Sequence, residues 1–131
     1  MEDIILPKYL EYLEKAELVS VLRMKANGDA ILRKMDKLYL QNSNMSYVLS
    51  GENPDTGNAR ETIFYCWTKQ KYDTVESPVS DFEIDGKTFE VGGRNKGKKQ
   101  ISNLEDAYVV KDTIEYVFDN QVPLWMFGFL Y

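Results

Sequence analysis

The chain contains no histidine and only one cysteine, Cys66, among its 131 residues. The missing histidine excludes His-based acid–base catalysis, Ser-His and Cys-His nucleophile pairs, and the usual zinc sites. Carboxylates, Lys, Arg and Tyr are the side chains that remain for catalysis. One cysteine cannot form a disulfide within a single chain, so we expect a reducing, cytoplasmic compartment.

The chain also lacks a surplus of positive charge, since 16 basic and 21 acidic residues give a net charge of −5. A general nucleic-acid binder normally carries a basic surplus, although a local basic patch would still serve. No hydrophobic run is long enough to cross a bilayer, and the first ten residues lack the features of a signal peptide. We therefore expect no membrane partner.

The clearest pattern lies at residues 80–93, SDFEIDGKTFEVGG. Two short runs with apolar residues at alternate positions flank Asp85-Gly86, a dipeptide that favours a two-residue hairpin turn. Counting outward from this turn pairs Phe82 with Phe89. Because side chains alternate between faces, the pairing predicts a core face with Phe82, Ile84, Phe89 and Val91 and a polar face with Asp81, Glu83, Thr88 and Glu90.

This pairing sets Asp81 opposite Glu90, and like charges at such positions are destabilising. Three arrangements would relieve the repulsion: a divalent cation such as Mg²⁺ bound by both carboxylates, a nearby Lys or Arg, or exposure to water. A run of four cations follows at residues 94–99, RNKGKK, and consists of Arg94, Lys96, Lys98 and Lys99. These cations either neutralise the two carboxylates, bind a phosphate or nucleic acid, or form a solvated loop.

Other patterns predict an α+β fold, with a small mixed β-sheet and flanking helices. The spacing of apolar residues predicts a helix over 6–18, and strand-like residues follow up to a hairpin at Asn27-Gly28, with a return strand from 30 to 35. KLYL at 37–40 predicts a strand and 45–49 a brief helical turn. The Gly- and Pro-rich stretch 51–58 is the best domain boundary. A helix that leads into a two-stranded ribbon resembles the end of a winged-helix domain.

After the boundary at 51–58, the sequence also predicts two helices and one strand. Asn58 with Glu61 forms a capping-box pattern that opens a helix over 59–70, with Ala59, Ile63, Cys66 and Trp67 buried. AYVV at 107–110 predicts a strand buried on both faces. Asp112 and Glu115 repeat the capping pattern, so we expect a helix there with Ile114, Val117 and Phe118 inward. The apolar end, PLWMFGFLY, either packs on the sheet or forms a partner-binding patch.

Taken in order, these stretches resemble the C-terminal region of bacterial and archaeal AAA+ type ATPases, where a winged helix is followed by a module similar to the PD-(D/E)xK nucleases. The likeness is carried by YLEYLEKAELV at 9–19, KLYLQN at 37–42, ARETIF at 59–64, SDFEIDGKTFEVGGRNKGKKQ at 80–100, AYVVKDTIE at 107–115 and PLWMFGFLY at 123–131. It implies the end of a winged helix over 1–42 and a restriction-endonuclease-like domain over 43–131. The implied partner is an AAA+ ATPase domain, in cis or in trans.

The resemblance also assigns candidate site residues. Glu61 matches the acidic residue of the first helix, Asp81 the first strand carboxylate, and Glu90 the acid of the (D/E)xK element; in active members such carboxylates bind Mg²⁺. Gly92 stands where that element has its lysine. Lys96 or Arg94 would then supply the cation, and Gln100 matches a polar residue on the helix of some related nucleases.

Three functions remain open at this point. The first is an accessory nuclease-like domain without turnover, which serves recognition or assembly within a larger ATPase. The second is a Mg²⁺-dependent phosphodiesterase acting on nucleic acid, in which Asp81 and Glu90 bind the metal and Lys96 stabilises the pentacovalent phosphate. The third is a structural or protein-interaction domain. The chain has no GxxxxGK[ST] element, so these residues do not themselves form an ATPase.

Overall fold

The computed structural model describes residues 2–25, 37–94 and 101–130, with side chains from residue 7 onward. The elements follow in the order α1 (Glu2–Lys15), β1 (Val19–Leu22), β2 (Lys37–Leu40), α2 (Ser43–Leu49), α3 (Thr56–Thr68), β3 (Thr74–Glu76), β4 (Phe82–Ile84), β5 (Lys87–Gly92), β6 (Ala107–Lys111), β7 (Gln121–Pro123) and a 3₁₀ helix (Leu124–Phe129). The fold is therefore α+β. No helix in the described part of the chain is long and apolar enough to cross a membrane.

Five strands form a mixed sheet in the order β3-β4-β5-β6-β7. The first three strands are antiparallel, whereas β5, β6 and β7 run parallel to one another. A separate antiparallel ribbon pairs β1 with β2. A single bridge between Met24 and Glu76 and a 2.9 Å bond from Glu76 N to Arg23 O join this ribbon to the β3 edge.

The predicted hairpin is confirmed. Asp85 and Gly86 have φ of 50° and 79°, the left-handed values that both central residues of a type I′ turn require. The β4–β5 ladder pairs Phe82 with Phe89, as counted from the turn. β6, central between β5 and β7, is buried as AYVV predicts.

One core cluster fills the space between the sheet, α3, the ribbon and the 3₁₀ helix. Its buried members are Leu22, Tyr39, Phe64, Tyr65, Phe82, Ile84, Val91, Val110 and Leu124. A smaller cluster, Ile101, Ala107 and Val109, lies on the other face of the sheet. The first cluster combines residues from 1–42 with residues from 43–131, and the boundary between those two parts stays a prediction.

The predicted helix over 6–18 is present but earlier, at Glu2–Lys15, while β2 and α2 lie close to where the pattern placed them. The hairpin at Asn27-Gly28 and its return strand lie outside the described residues. The sequence patterns missed the short strands β3 and β7, three residues each. Such short strands carry too few residues to show an alternation.

The N-cap of α3 is not Asn58. The helix begins at Thr56, and its N-cap is Asp55, whose side chain accepts a hydrogen bond from Asn58 N at 3.1 Å. The capping-box interpretation was therefore wrong, because Asp55 offers the same kind of acceptor three residues earlier. With Asp55 as the N-cap, Glu61 is no longer three residues after the cap and does not form the capping box.

The buried face of α3 also differs from the prediction: it consists of Ala59, Thr62, Phe64, Tyr65 and Thr68, while Cys66 and Trp67 are only partly buried. Two of these residues are threonines whose hydroxyls bond carbonyls one turn back: Thr62 to Asn58 O at 2.8 Å and Thr68 to Phe64 O at 2.9 Å. Hydroxyls satisfied in this way can be buried, which an apolar pattern does not detect.

The helix expected after Asp112 is absent from the described residues 111–120. The Asp112 carboxylate instead accepts a hydrogen bond from Arg60 Nε at 2.5 Å, so it does not cap a helix. Residues 112–120 alone link the parallel strands β6 and β7, less chain than a helical crossover normally needs. Val117 and Phe118 are consequently exposed, not inward.

The two candidate caps of α3 provide a direct test. We expect Asp55→Ala to lower the free energy of unfolding by about 1 kcal/mol, because it leaves an amide at the helix start without its acceptor. The control, Asn58→Ala, changes the free energy of unfolding little, since Ala is a good helix former. Urea unfolding of both variants checks this, and a larger loss for Asn58→Ala would contradict the assignment.

Candidate functional site

The candidate site is built around the hydroxyl of Tyr39. This residue lies on β2, is 3% exposed, and packs its ring 5.7 Å from the ring of Tyr65 and 6.0 Å from that of Phe82. Its hydroxyl donates a hydrogen bond of 2.6 Å to Glu61 Oε2 on α3. The β1–β2 ribbon therefore places a phenol against the helix carboxylate that the nuclease pattern singled out.

Asp81 lies one residue before β4. Beyond the end of that strand, its side chain rather than its backbone bonds to β5. Its Oδ2 accepts a hydrogen bond from Val91 N at 2.8 Å, and its Oδ1 is 4.0 Å from Lys37 Nζ. The carboxylate thus satisfies a backbone amide of β5. Asp81 has a structural use of its own in this position.

The pKa of Tyr39 reports which acids surround it. Burial raises this pKa most, followed by the hydrogen bond to Glu61 and by the negative charges of Glu61, Asp81 and Glu76. Each carboxylate disfavours a phenolate nearby. Glu61 therefore contacts the neutral, buried phenol directly, while Asp81 and Glu76 act on it through their charge. The sequence did not suggest Glu76.

Glu90 faces the other way. It pairs with Val109 in the parallel ladder, and Val109 belongs to the smaller cluster on the second face of the sheet. Paired positions share a face and neighbours alternate, so Glu90 lies opposite Phe89 and Val91, which pack in or against the main core. Glu90 is 2% exposed. It is buried on the second face, away from the Tyr39 hydroxyl.

An arginine from α3 lies next to the position where the motif has its lysine. Gly92 ends β5, and a Cβ placed on Gly93 would come within 3.0 Å of the Arg60 guanidinium. Arg60 itself pairs with Asp112. A cation therefore lies beside Gly93, but a carboxylate neutralises it.

The predicted basic segment is only partly described. Arg94 is exposed after the end of β5. Lys96, Lys98, Lys99 and Gln100 lie outside the described residues, so their proposed roles stay predictions. Over residues 2–25, 37–94 and 101–130, no group of three or more His, Cys, Asp or Glu side chains is arranged to hold a metal ion.

Sequence patterns missed Tyr39, Lys37 and Arg60 as parts of this site. Tyr39 and Lys37 occupy alternate positions of KLYL, a period that would have placed both on one face of β2. Nothing in the sequence shows that this face meets α3, because that contact depends on tertiary packing. For Arg60 the sequence offered one indication, its position directly before the candidate residue Glu61 in the same helix.

Comparison of the chain with models of protein families, with curated proteins and with solved structures finds no match. The site is therefore interpreted from its own geometry.

The phenol predicts a dependence of stability on alkaline pH. Because folding raises the pKa of Tyr39, the stability it contributes is complete below the unfolded value near 10.0 and is lost as pH rises above it. We expect Tyr39→Phe to lower the free energy of unfolding at neutral pH by about 1–2 kcal/mol, through loss of the hydrogen bond to Glu61.

Tyr39→Phe should also lose stability less steeply than the unaltered chain between pH 9 and pH 11. Urea unfolding as a function of pH measures both effects. The matched control is Tyr116→Phe, whose side chain is 80% exposed and which should leave the profile unchanged. Identical alkaline profiles for Tyr39→Phe and the unaltered chain would contradict the assignment.

Proposed function

We propose that this chain is an accessory, nuclease-like domain of an AAA+ type ATPase, serving recognition or assembly without cleaving nucleic acid. The proposal rests on the fact that the three carboxylates of the nuclease pattern are bonded within the fold or buried. Glu61 accepts the Tyr39 hydroxyl, Asp81 accepts the Val91 amide, and Glu90 is buried on the second face. A Mg²⁺ shared by Asp81 and Glu90 would have to reach the buried Glu90 carboxylate and an Asp81 carboxylate that already accepts from Val91 N.

The cation of the nuclease pattern supports the same proposal. Gly92 replaces the motif lysine, and Arg60, the cation beside Gly93, is held by Asp112. An arginine paired in this way offers less charge to a pentacovalent phosphate than a free lysine would. The missing lysine and the paired arginine favour a nuclease-like domain whose polar groups stabilise the fold rather than act on a phosphate.

The 3₁₀ helix supplies a surface suited to recognition. Leu124 is buried and Phe127 packs against the core, so the terminal run contributes to the core as predicted. The same helix exposes Trp125 by 52% and Phe129 by 64%, with ring centroids 6.0 Å apart. Aromatic side chains held rigidly at a surface are common anchors of protein interfaces.

The ATPase context rests on the likeness of the six sequence stretches and on their order along the chain. A domain that assembles with such an ATPase would work in the cytoplasm, where the lone Cys66 stays reduced. Its acidic net charge suits a protein partner better than the nucleic acid on which a nuclease would act.

The first test concerns Asp81. We expect Asp81→Asn to change the free energy of unfolding by less than about 1 kcal/mol, because the amide oxygen still accepts from Val91 N, and Asp81→Ala to cost about 1–3 kcal/mol. Adding Mg²⁺ should shift none of the three melting curves. Mg²⁺-dependent cleavage of single- or double-stranded nucleic acid that disappears in Asp81→Asn would contradict the proposal and show that the chain is a phosphodiesterase.

The second test concerns the partner. A tagged full chain, expressed in its native cells, should enrich a protein that mass spectrometry identifies as carrying a P-loop and AAA+ sequence. Trp125→Ala should weaken that binding by about 30-fold, the effect of removing an interface anchor worth about 2 kcal/mol. The control is Val48→Ala, an exposed apolar residue on α2. Absence of any P-loop ATPase from the captured proteins would refute the proposal.

A further inference from the structure

A polar cleft of about 490 Å³ opens between the end of α1, the β1–β2 ribbon and the end of α3. Tyr65, which packs against Tyr39, also lines this cleft, whereas Glu61 and Asp81 do not. Its polar lining is contributed by Glu14, Glu17, Ser20, Gln41, Lys69 and Gln70. Cavities of this size accommodate small molecules, usually with a few polar groups that fix the orientation of the ligand.

The floor of the cleft holds a positioned ammonium group. Lys69 Nζ donates hydrogen bonds to Ser20 Oγ and, at 3.0 Å, to Gln41 Oε1, and it lies 5.6 Å from the centre of the Tyr65 ring. Ser20, 3% exposed, donates in turn to Gln41 Oε1 at 2.8 Å. Both acceptors are neutral, and within the described residues Lys69 forms no ion pair. Its two hydrogen bonds leave one of its three N–H donors for a ligand.

The opposite charge on this cleft comes from Glu17. Glu14, the other acid, is neutralised by two hydrogen bonds from the Arg23 guanidinium at 3.2 and 3.1 Å. Within the described part of the chain, Glu17 forms no ion pair, with Lys69 or with any other residue. The cleft therefore presents one uncompensated cation and one uncompensated anion to the same space.

The backbone of Glu17 adds an independent observation. Its φ is 57°, and bonds of 3.0 Å from Glu17 N to Glu14 O and from Leu18 N to Leu13 O form a Schellman ending of α1. The residue at this position is usually glycine, because a side chain disfavours the left-handed conformation. A glutamate here is less stable than glycine, and this left-handed turn places the Glu17 side chain in the lining of the cleft.

We propose that this cleft binds a small zwitterionic molecule that carries a carboxylate and an ammonium group, as amino acids do. The carboxylate accepts from Lys69 and from the side-chain amide of Gln41 or Gln70, while the ammonium group donates to Glu17. A ligand with both charges satisfies both uncompensated groups, whereas a simple anion or cation leaves one charge of the cleft unmatched. The inference stands independently of the ATPase context.

The experiment is an NMR titration of the ¹⁵N-labelled full chain with amino acids of increasing charge separation: glycine, β-alanine and γ-aminobutyrate. Butyrate and butylamine serve as probes that carry one charge each. We expect at least one amino acid to shift amide signals of cleft residues and to bind at least about tenfold more tightly than either single-charge probe. Equal binding of a single-charge probe, or no shift with any amino acid, would overturn the proposal.

A matched pair of variants separates ligand binding from folding. Glu17→Gly should raise the melting temperature, because it relieves the left-handed backbone, and should weaken binding of the amino acid by about tenfold or more. Glu52→Gly is the control: Glu52 also has a left-handed φ, 69°, but is exposed outside the cleft. It should raise the melting temperature without affecting binding.

Lys69→Met should abolish the binding, and Lys71→Met, an exposed neighbour, should leave it unchanged. If Lys69→Met fails to fold, the Glu17→Gly and Glu52→Gly pair still decides the question. Equal affinity of these two glycine variants for the amino acid would show that Glu17 does not bind the ligand, and would end the proposal.

Discussion

The burial of Phe64 is the interaction on which the rest of the structure depends. This side chain of α3 is fully buried, and its ring centre lies 4.9 Å from that of Phe82, 5.5 Å from Phe89 and 4.8 Å from Phe127. Those three rings belong to β4, β5 and the 3₁₀ helix. A single aromatic residue thus fixes α3 against the central hairpin and against the C-terminal segment, with the favourable tilted and edge-to-face geometry of aromatic pairs.

With α3 held in this way, its polar side chains connect the remaining elements. Glu61 reaches Tyr39 on the ribbon, Arg60 reaches Asp112 after β6, and Lys69 reaches Ser20 on β1. These are contacts between parts far apart in the chain, and each satisfies a polar group that folding takes at least partly out of water. The groups around Tyr39 and around Lys69 lie at different heights of α3. Glu61, which contacts Tyr39, and Lys69 are separated by about 12 Å along the helix axis.

The two groups differ in how their charges are satisfied. Around Tyr39, Glu61 and Asp81 already accept hydrogen bonds from the protein, and Tyr39 is kept neutral by burial and by negative charges. In the cleft, and within the described residues, Lys69 is held by neutral acceptors and neither Lys69 nor Glu17 forms an ion pair. Glu17 also occupies a backbone position that disfavours it. A group whose partners are all internal stabilises the fold, whereas opposite charges left apart at a cleft are available to a ligand.

The sequence by itself determined the local features of this protein: the Asp85-Gly86 turn and the register around it, the buried strand at 107–110, the strand KLYL and the α+β class. These follow from alternation and turn chemistry among neighbouring residues. The tertiary structure decided the cap of α3, the threonines on its buried face, the loss of the helix after Asp112, and the burial of the sheet face that carries Glu90. Each of these depends on a partner distant in sequence: Asp112 could act as a cap until Arg60 occupied its carboxylate, and only the packing of the chain brings those two residues together.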